Sequence, residues 1–142
     1  KKGKMIRIVI DTNVVVSALL FEGVTERIIH LWKSGRINPL VSKEIMGEYI
    51  TVLAYPRFEL TEDEINCLVY NEILPYVDIV IPESIPAIVL DDPSDDKFIH
   101  CAVSGKAKYI VSGDHHLLSL GHYGRIDIVT PAKLISIIES SH

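Results

Sequence analysis

The stretch IRIVID (residues 6–11) decides the fold class that the sequence predicts. It is a short run of β-branched residues that ends in an acid, and KYIVSGD (residues 108–114) repeats this arrangement later in the chain. Helical patterns lie between such runs, as the connections between parallel strands require. Ligands bind where parallel strands end. The sequence therefore predicts a three-layer α/β/α sandwich with a central parallel sheet, and it places Asp11 and Asp114 at the ligand-binding edge.

Runs rich in Val and Ile predict the strands, and apolar periodicity with capping residues predicts the helices. The predicted strands are 6–10, 77–81, 109–112 and 126–129, with a weaker candidate at 37–41. The predicted helices are 24–34, one capped by Ser42 that ends before Pro56, 61–74, one capped by Ser94 that ends at Gly105, and 131–138. Because segment 82–93 contains three prolines, it is predicted to be a loop.

Length and composition predict one soluble domain. The chain has 142 residues, 48% of them hydrophobic, which is enough for a sizeable core. The domain is expected to span residues 5–138, with Met5 as a candidate natural start and residues 1–4 as an added or disordered lead. The longest apolar stretch, 14–21, is far shorter than the roughly 20 residues that cross a bilayer. We therefore expect no membrane association.

The two cysteines indicate the compartment. Cys67 and Cys101 are far apart in the sequence and lie in predicted helices, so they form neither a disulfide framework nor a redox motif. No signal peptide is recognisable before the first strand. A reducing cytoplasm fits best, and both thiols are expected to be buried among apolar neighbours.

Four acids can meet at the predicted sheet edge. Asp11 and Asp114 end strands, Glu48 lies beside the apolar stripe of its helix, and Asp96 falls in the first turn of another. Converging carboxylates repel one another without a counterion. Since the ligands are oxygens, and the histidines lack the spacing of a zinc site, the expected counterion is Mg²⁺ or Mn²⁺, as one or two ions. Such an ion can activate water for attack on phosphorus.

Each acid alone also has a structural interpretation. Asp11 could cap the next helix, and Asp96 could belong to a solvated first turn. Asp114 could be a turn residue, and Glu48 could be an ordinary surface acid. The joint pattern favours a site.

Four segments of the chain resemble the PIN-domain nucleases. They are IVIDTN (8–13), SKEIMGEYITVL (42–53), DPSDDKFIHCAVSGKAKYIVSGDHHLL (92–118) and IDIVTPAKLI (126–135). The resemblance runs from about Met5 to Ile138. It is nearest to the toxin components of prokaryotic toxin–antitoxin modules.

The resemblance implies a Mg²⁺- or Mn²⁺-dependent ribonuclease that leaves a 5′-phosphate. It implies RNA as substrate, a cognate antitoxin as partner and a homodimer. The implied catalytic and metal-binding acids are Asp11, Glu48, Asp96 and Asp114. Asn13 and Ser112 match supporting polar positions, and Asp92 and Asp95 are neighbouring acids. Whether Asp95 or Asp96 is the third acid stays open.

The net charge of −5 argues against a broad electrostatic grip on nucleic acid. One bound divalent ion would change it to −3 and two would change it to −1, which weakens the objection. The candidates for phosphate contact are Lys33, Arg36, Lys43, Lys97 and Lys106.

Two other functions compete with the ribonuclease. A phosphohydrolase or phosphoacceptor could use Asp11 as its nucleophile, but Asn13 stands where that chemistry usually has a second acid. A catalytically silent PIN-like domain that binds RNA or protein is the main alternative, because a sequence does not reveal turnover.

Overall fold

A computed structural model describes residues 5–83 and 93–140 of the chain, in which helices flank a six-stranded, mostly parallel sheet in three layers. The strands are β1 (Ile6–Ile10), β2 (Ile37–Val41), β3 (Asp78–Ile79), β4 (Tyr109–Val111), β5 (His122–Tyr123) and β6 (Ile126–Val129). The helices are α1 (Thr12–Leu20), α2 (Val24–Lys33), α3 (Lys43–Leu53), α4 (Glu62–Cys67), α5 (Asp96–Ser104), α6 (His115–Leu120) and α7 (Pro131–Glu139). The predicted three-layer fold is confirmed.

The strand order β3-β2-β1-β4-β6-β5 puts the two acid-ended strands side by side. β1 and β4 are parallel, with Ile10 opposite Val111, and the Asp11 N–H donates to the Val111 carbonyl at 2.9 Å. Because adjacent parallel strands run in the same direction, their carboxyl ends lie at the same edge of the sheet. This pairing brings two acids together that are about a hundred residues apart in the sequence.

The central strands are buried on both faces, as strands covered by helices must be. Ile8, Val9 and Ile10 have almost no exposed surface, and every residue of β2 is buried. β2 was the weaker prediction because Asn38 and Pro39 interrupt its apolar run. Its burial and its pairing with β1 and β3 show that the tertiary fold, rather than local pattern, determines this strand.

A second apolar cluster fixes α1 against the helices that follow β2. Val16 of α1 packs with Val52 and Leu53 of α3, and with Ile65 and Val69 from the next helical segment. This cluster packs α1 against the C-terminal end of α3, and the candidate site lies beside it, since Val52 also lines the cleft described below.

Several elements differ from the predictions. The apolar stretch 14–21 lies mainly in α1, and α6 and the antiparallel β5 were not predicted. The helix predicted at 61–74 is α4 followed by a π-helical turn, Leu68–Ile73, and a 3₁₀ turn, Leu74–Tyr76, whose Pro75 cannot donate to a helix. The strand predicted at 77–81 contains only the two residues of β3.

Three local predictions also need comment. The prediction that Ser94 caps α5 was wrong, because Asp95 occupies the cap position after a 3₁₀ turn, Pro93–Asp95. Cys101 is buried as predicted, but Cys67 is exposed, because its helix turns that position to solvent. Most of the predicted loop 82–93 lies outside the described residues. Within the described ranges, no helix is long and apolar enough to cross a membrane.

Candidate active site

Asp11 is a buried carboxylate at the junction of β1 and α1, with 4% of its surface exposed. It caps α1, since its Oδ1 accepts a hydrogen bond from the Val14 N–H at 2.9 Å. Its Oδ2 accepts a hydrogen bond from the Ser112 hydroxyl. Burial raises the pKa of Asp11, and the nearby Asp114 charge raises it further, while the hydrogen bonds from Ser112 and Val14 oppose this. The position therefore favours a compensating positive charge.

Ser112 connects the two strand-end acids. It follows β4, is fully buried, donates its hydroxyl proton to Asp11 and accepts the Asp114 N–H at 2.8 Å. Asp114 in turn accepts the His116 N–H at 2.9 Å. The predicted supporting position of Ser112 is thus in direct contact with both acids, and its single oxygen sets their relative placement.

Glu48 reaches the site from α3. The hydroxyl of Thr12, which is buried, donates to Glu48 Oε1. The next residue, Tyr49, donates its phenol proton to the Ile10 carbonyl at 2.5 Å and is 2% exposed. Burial, followed by the nearby Asp11, raises the pKa of Tyr49 well above its ordinary value. The phenol therefore stays protonated and holds α3 against the end of β1.

The start of α5 brings two more acids and a cation. Asp95 and Asp96 are each 7% exposed. The Lys97 side chain is 8% exposed, its Nζ lies 3.3 Å from Glu48 Oε2, and it also donates to the Ser94 carbonyl. An ammonium group of the chain itself is therefore in contact with one of the candidate metal ligands.

Several of these side chains line one polar cleft of about 240 Å³. It is lined by Asp11, Thr12, Asn13, Glu48, Val52, Tyr55, Asp95, Phe98 and Asp114. Three of the four proposed acids line the cleft together with the supporting Asn13. For the third acid position, Asp95 lines it, and Asp96 is not among the described residues that do. Asp92 lies outside the described residues.

Sequence reasoning missed one polar cleft residue, Tyr55, and the structure places its basic candidates outside the cleft lining. In Asp-Thr-Asn, the Thr12 hydroxyl directly follows a strand-end acid and is a group that can orient a carboxylate, whereas nothing in the sequence singles out Tyr55. Lys33 pairs with Glu72, and Arg36 donates to the Ile138 carbonyl at 2.9 Å. The cleft lining, as far as the chain is described, includes none of the five predicted basic residues, Lys33, Arg36, Lys43, Lys97 and Lys106.

The donor set fits a hard divalent cation that keeps part of its water shell. Across residues 5–83 and 93–140, no three acids, histidines or cysteines are close enough to hold an ion among them. Mg²⁺ commonly binds through one or two carboxylates and several waters, which suits acids spread around a cleft of this size. The Asp114 charge, which adds to burial in raising the pKa of Asp11, and the ammonium at Glu48 also indicate that the cleft attracts positive charge.

Comparison with known proteins agrees with this geometry. The PIN domain family matches residues 7–116, from β1 into α6. An uncharacterized protein of Methanocaldococcus jannaschii is 32% identical over 117 residues, which cover 81% of this chain and 75% of that protein. The family match includes every acid that lines the cleft. The chain therefore belongs to the PIN-domain family, whose fold is of the nuclease type.

Proposed function

We propose that this protein is a divalent-metal-dependent ribonuclease that hydrolyses RNA phosphodiesters. The observation that carries the proposal is the buried Asp11 carboxylate, joined through Ser112 to Asp114 and sharing a cleft with Glu48 and Asp95. A buried, hydrogen-bonded acid next to other acids costs folding free energy, which a merely structural cap does not require. Membership of a family with a nuclease-type fold supports the same function.

The candidate ligands are Asp11, Glu48, Asp114 and one of Asp95 and Asp96, of which one or two would bind the ion directly and the others through its waters. A bound Mg²⁺ or Mn²⁺ would supply an activated water and neutralise charge on the phosphate oxygens. The Ser112 and Thr12 hydroxyls orient the carboxylates of Asp11 and Glu48. In the proposed reaction, water attacks phosphorus in line, the P–O3′ bond breaks, and the products carry a 3′-hydroxyl and a 5′-phosphate.

The biological role that we propose is that of the toxin in a toxin–antitoxin module, acting in the cytoplasm as a homodimer and neutralised by a cognate antitoxin. The support is the resemblance of four segments to that branch of the family. Induced expression in a bacterial host should arrest growth, and Asp11→Asn should relieve the arrest. Growth that continues with the wild-type protein abundant and folded would argue against a toxin role and leave the ribonuclease to be tested on its own.

The main experiment is incubation of single-stranded and structured RNA with the purified protein in Mg²⁺, Mn²⁺ or EDTA. We expect cleavage only with metal, and we expect Asp11→Asn to lose it by several orders of magnitude. Asp127→Asn is the matched control, because this exposed acid of β6 is not in the cleft lining.

A paired comparison identifies the third acid. Asp95→Asn and Asp96→Asn remove neighbouring carboxylates that are equally buried. Since Asp95 lines the cleft, we expect its variant to lose more activity. The reverse order would assign the role to Asp96.

The same assay tests the silent-domain alternative, which one observation favours. Lys97 already supplies a cation to Glu48, as a domain that binds no metal would need. RNA left intact in both metals, with the protein folded, would favour that alternative.

A further inference from the structure

Exposed aromatic side chains and an arginine lie beside the acidic cleft. Phe21 is 55% exposed and Tyr55 is 41% exposed. The Arg57 guanidinium carbon lies 5.4 Å from the Tyr55 ring centroid and 4.8 Å from that of Phe58. The Phe58 and Phe21 ring centroids are 6.1 Å apart at a tilt of 54°. We call Phe21, Tyr55, Arg57 and Phe58 the aromatic ledge.

The local backbone holds the ledge in place. Residues Pro56–Phe58 form a 3₁₀ turn, with proline at its first position and hydrogen bonds from the Phe58 N–H to Tyr55 and from the Glu59 N–H to Pro56, both at 3.0 Å. Glu59 follows with φ of 54°, a left-handed conformation that ends the turn. The rings thus start from an ordered turn, which lowers the entropy lost when a ligand stacks on them.

The ledge is continuous with the cleft. Tyr55 lines the acidic cleft, and Asn13 lines both that cleft and the neighbouring groove. The groove, of about 440 Å³, is lined by Asn13, Val16, Ser17, Phe21, Arg57 and Phe58. It follows one face of α1 for roughly 12 Å from Asn13 to Phe21, at 1.5 Å per residue.

The charge of the groove is opposite to that of the cleft. Arg57 is the charged side chain among the described residues that line it, and no acid is among them. An RNA strand placed in the cleft needs a cation for its next phosphate, and the net charge of −5 leaves few regions that can provide one.

We propose that the aromatic ledge binds unpaired nucleotides of single-stranded RNA next to the scissile phosphate. Bases stack on Tyr55, at the cleft end, and on Phe21, at the far end, while Arg57 contacts a phosphate between them. Unstacked bases commonly bind to aromatic rings and guanidinium planes in this way, whereas bases in a duplex are already stacked on one another. This inference rests on the proposed ribonuclease function and names its substrate class.

The test measures binding separately from cleavage. In the Asp11→Asn background, a fluorescently labelled single-stranded RNA is titrated by anisotropy against Phe21→Ala and Tyr55→Ala. Stacking of one base on an aromatic ring predicts a loss of about fivefold to a hundredfold in affinity for each. Tyr70→Ala is the matched control, because Tyr70 is 64% exposed and lines neither the cleft nor the groove in the described structure. It should bind like the parent.

Two further variants test the chemistry. Phe21→Tyr keeps a ring and should restore most of the affinity that Phe21→Ala loses. Arg57→Gln should lower the slope of log affinity against log salt by about 0.7, the value for one phosphate contact on a single strand. Arg125→Gln removes another exposed arginine, in the turn between β5 and β6, and should leave the slope unchanged.

The outcomes separate this inference from the ribonuclease proposal. The ledge is overturned if the alanine variants bind as tightly as Tyr70→Ala, if a duplex of the same sequence binds as well as the single strand, or if single-stranded RNA does not bind at all. If the wild-type protein does not cleave RNA with metal, yet the ledge variants lose single-strand affinity, the ribonuclease proposal fails and the binding site stands. Melting temperatures confirm that each variant is folded.

Discussion

At the scale of single residues, the burial of the Asp11 carboxylate lowers the stability of the metal-free protein. Asp11 is 4% exposed, and burial raises its pKa, so the charged carboxylate destabilises the metal-free fold near neutral pH. Asn can keep the cap to the Val14 N–H without the charge. We therefore expect Asp11→Asn to raise the melting temperature in EDTA by a few degrees, measured by differential scanning fluorimetry.

The same measurement in Mn²⁺ should reverse the order. The wild-type protein should gain about 2.7 kcal/mol at a metal concentration of a hundred times Kd, and the Asn variant much less. Asp127→Asn, at an exposed position, should behave like wild type in both conditions. An Asn variant that gains as much from Mn²⁺ as wild type would remove Asp11 from the metal site.

Lys97 competes with a bound ion for Glu48. Its Nζ lies 3.3 Å from Glu48 Oε2, and the glutamate is about one-third exposed, so the interaction is partly screened. Lys97→Met keeps most of the buried aliphatic chain but removes the charge. Taking roughly 1 kcal/mol for an ion pair at water-like screening, we expect Mn²⁺ to bind about fivefold more tightly by calorimetry.

Lys43→Met provides the control for Lys97. Lys43 is an exposed lysine on the same helix as Glu48, and it should not change the Mn²⁺ affinity. Weaker Mn²⁺ binding by Lys97→Met would show that the ammonium supports the ion rather than replacing it.

At the scale of elements, the site is made where strands become helices. β1 runs directly into α1 through Asp11, and β4 runs into α6 through Asp114, so each acid both ends a strand and caps a helix. The capping interpretation and the site interpretation of Asp11 were posed as alternatives; the geometry shows the cap, and the same residue lines the acidic cleft. One carboxylate oxygen accepts from the helix, and the other accepts from Ser112.

The contact between the end of α5 and the sheet allows no side chain at Gly105. A Cβ there would lie 2.7 Å from Leu40 Cδ1 and 2.9 Å from Val80 Cγ2. Leu40 is fully buried in a close-packed core, so moving its side chain costs packing energy. We expect Gly105→Ala to lower the free energy of unfolding by about 1–3 kcal/mol, measured by urea denaturation.

Gly47 of α3 is the matched control for Gly105. A Cβ at this helical position would meet nothing within 4 Å. Gly47→Ala should therefore stabilise the protein by about 0.5–1 kcal/mol, the ordinary helix preference for alanine. Equal effects of the two substitutions would contradict the packing argument.

At the scale of the whole molecule, the free energy of unfolding at alkaline pH depends on a thiol buried in the core. Burial raises the pKa of Cys101 to about 12, against an ordinary value of 9.0. Between these values the unfolded chain loses the thiol proton while the folded chain keeps it, so the folded state binds more protons and stability falls as the pH rises. The expected decrease approaches about 1.4 kcal/mol per pH unit from this group.

Two cysteine variants isolate this contribution. Cys101→Ala should lose less unfolding free energy between pH 9 and pH 10.5 than the wild-type protein does, measured by urea titration. The packing that the substitution removes lowers stability equally at every pH and does not affect this slope. Cys67→Ala removes an exposed thiol and should leave the pH dependence as in wild type. A steep loss that persists in Cys101→Ala would assign the effect to other groups.

The sequence by itself determined the fold class, and it singled out four residues of the candidate site that lie at strand ends or on a regular helix. Short, continuous runs of Val and Ile that end in an acid indicate parallel strands that are buried on both faces. The three-layer fold was predicted from these runs. Asp11, Ser112 and Asp114 could be named because strand ends share an edge, and Glu48 because helical spacing set it beside a buried stripe.

Only the tertiary structure decided which groups meet. Asp95 rather than Asp96 lines the cleft because a 3₁₀ turn before α5 shifts the helix start by one residue, and a shift of one residue is not readable from the sequence pattern. The pairing of Lys97 with Glu48 joins two helices, and the ledge joins the end of α1 to the turn after α3. Such contacts arise from packing between distant segments, so no local pattern in the chain encodes them.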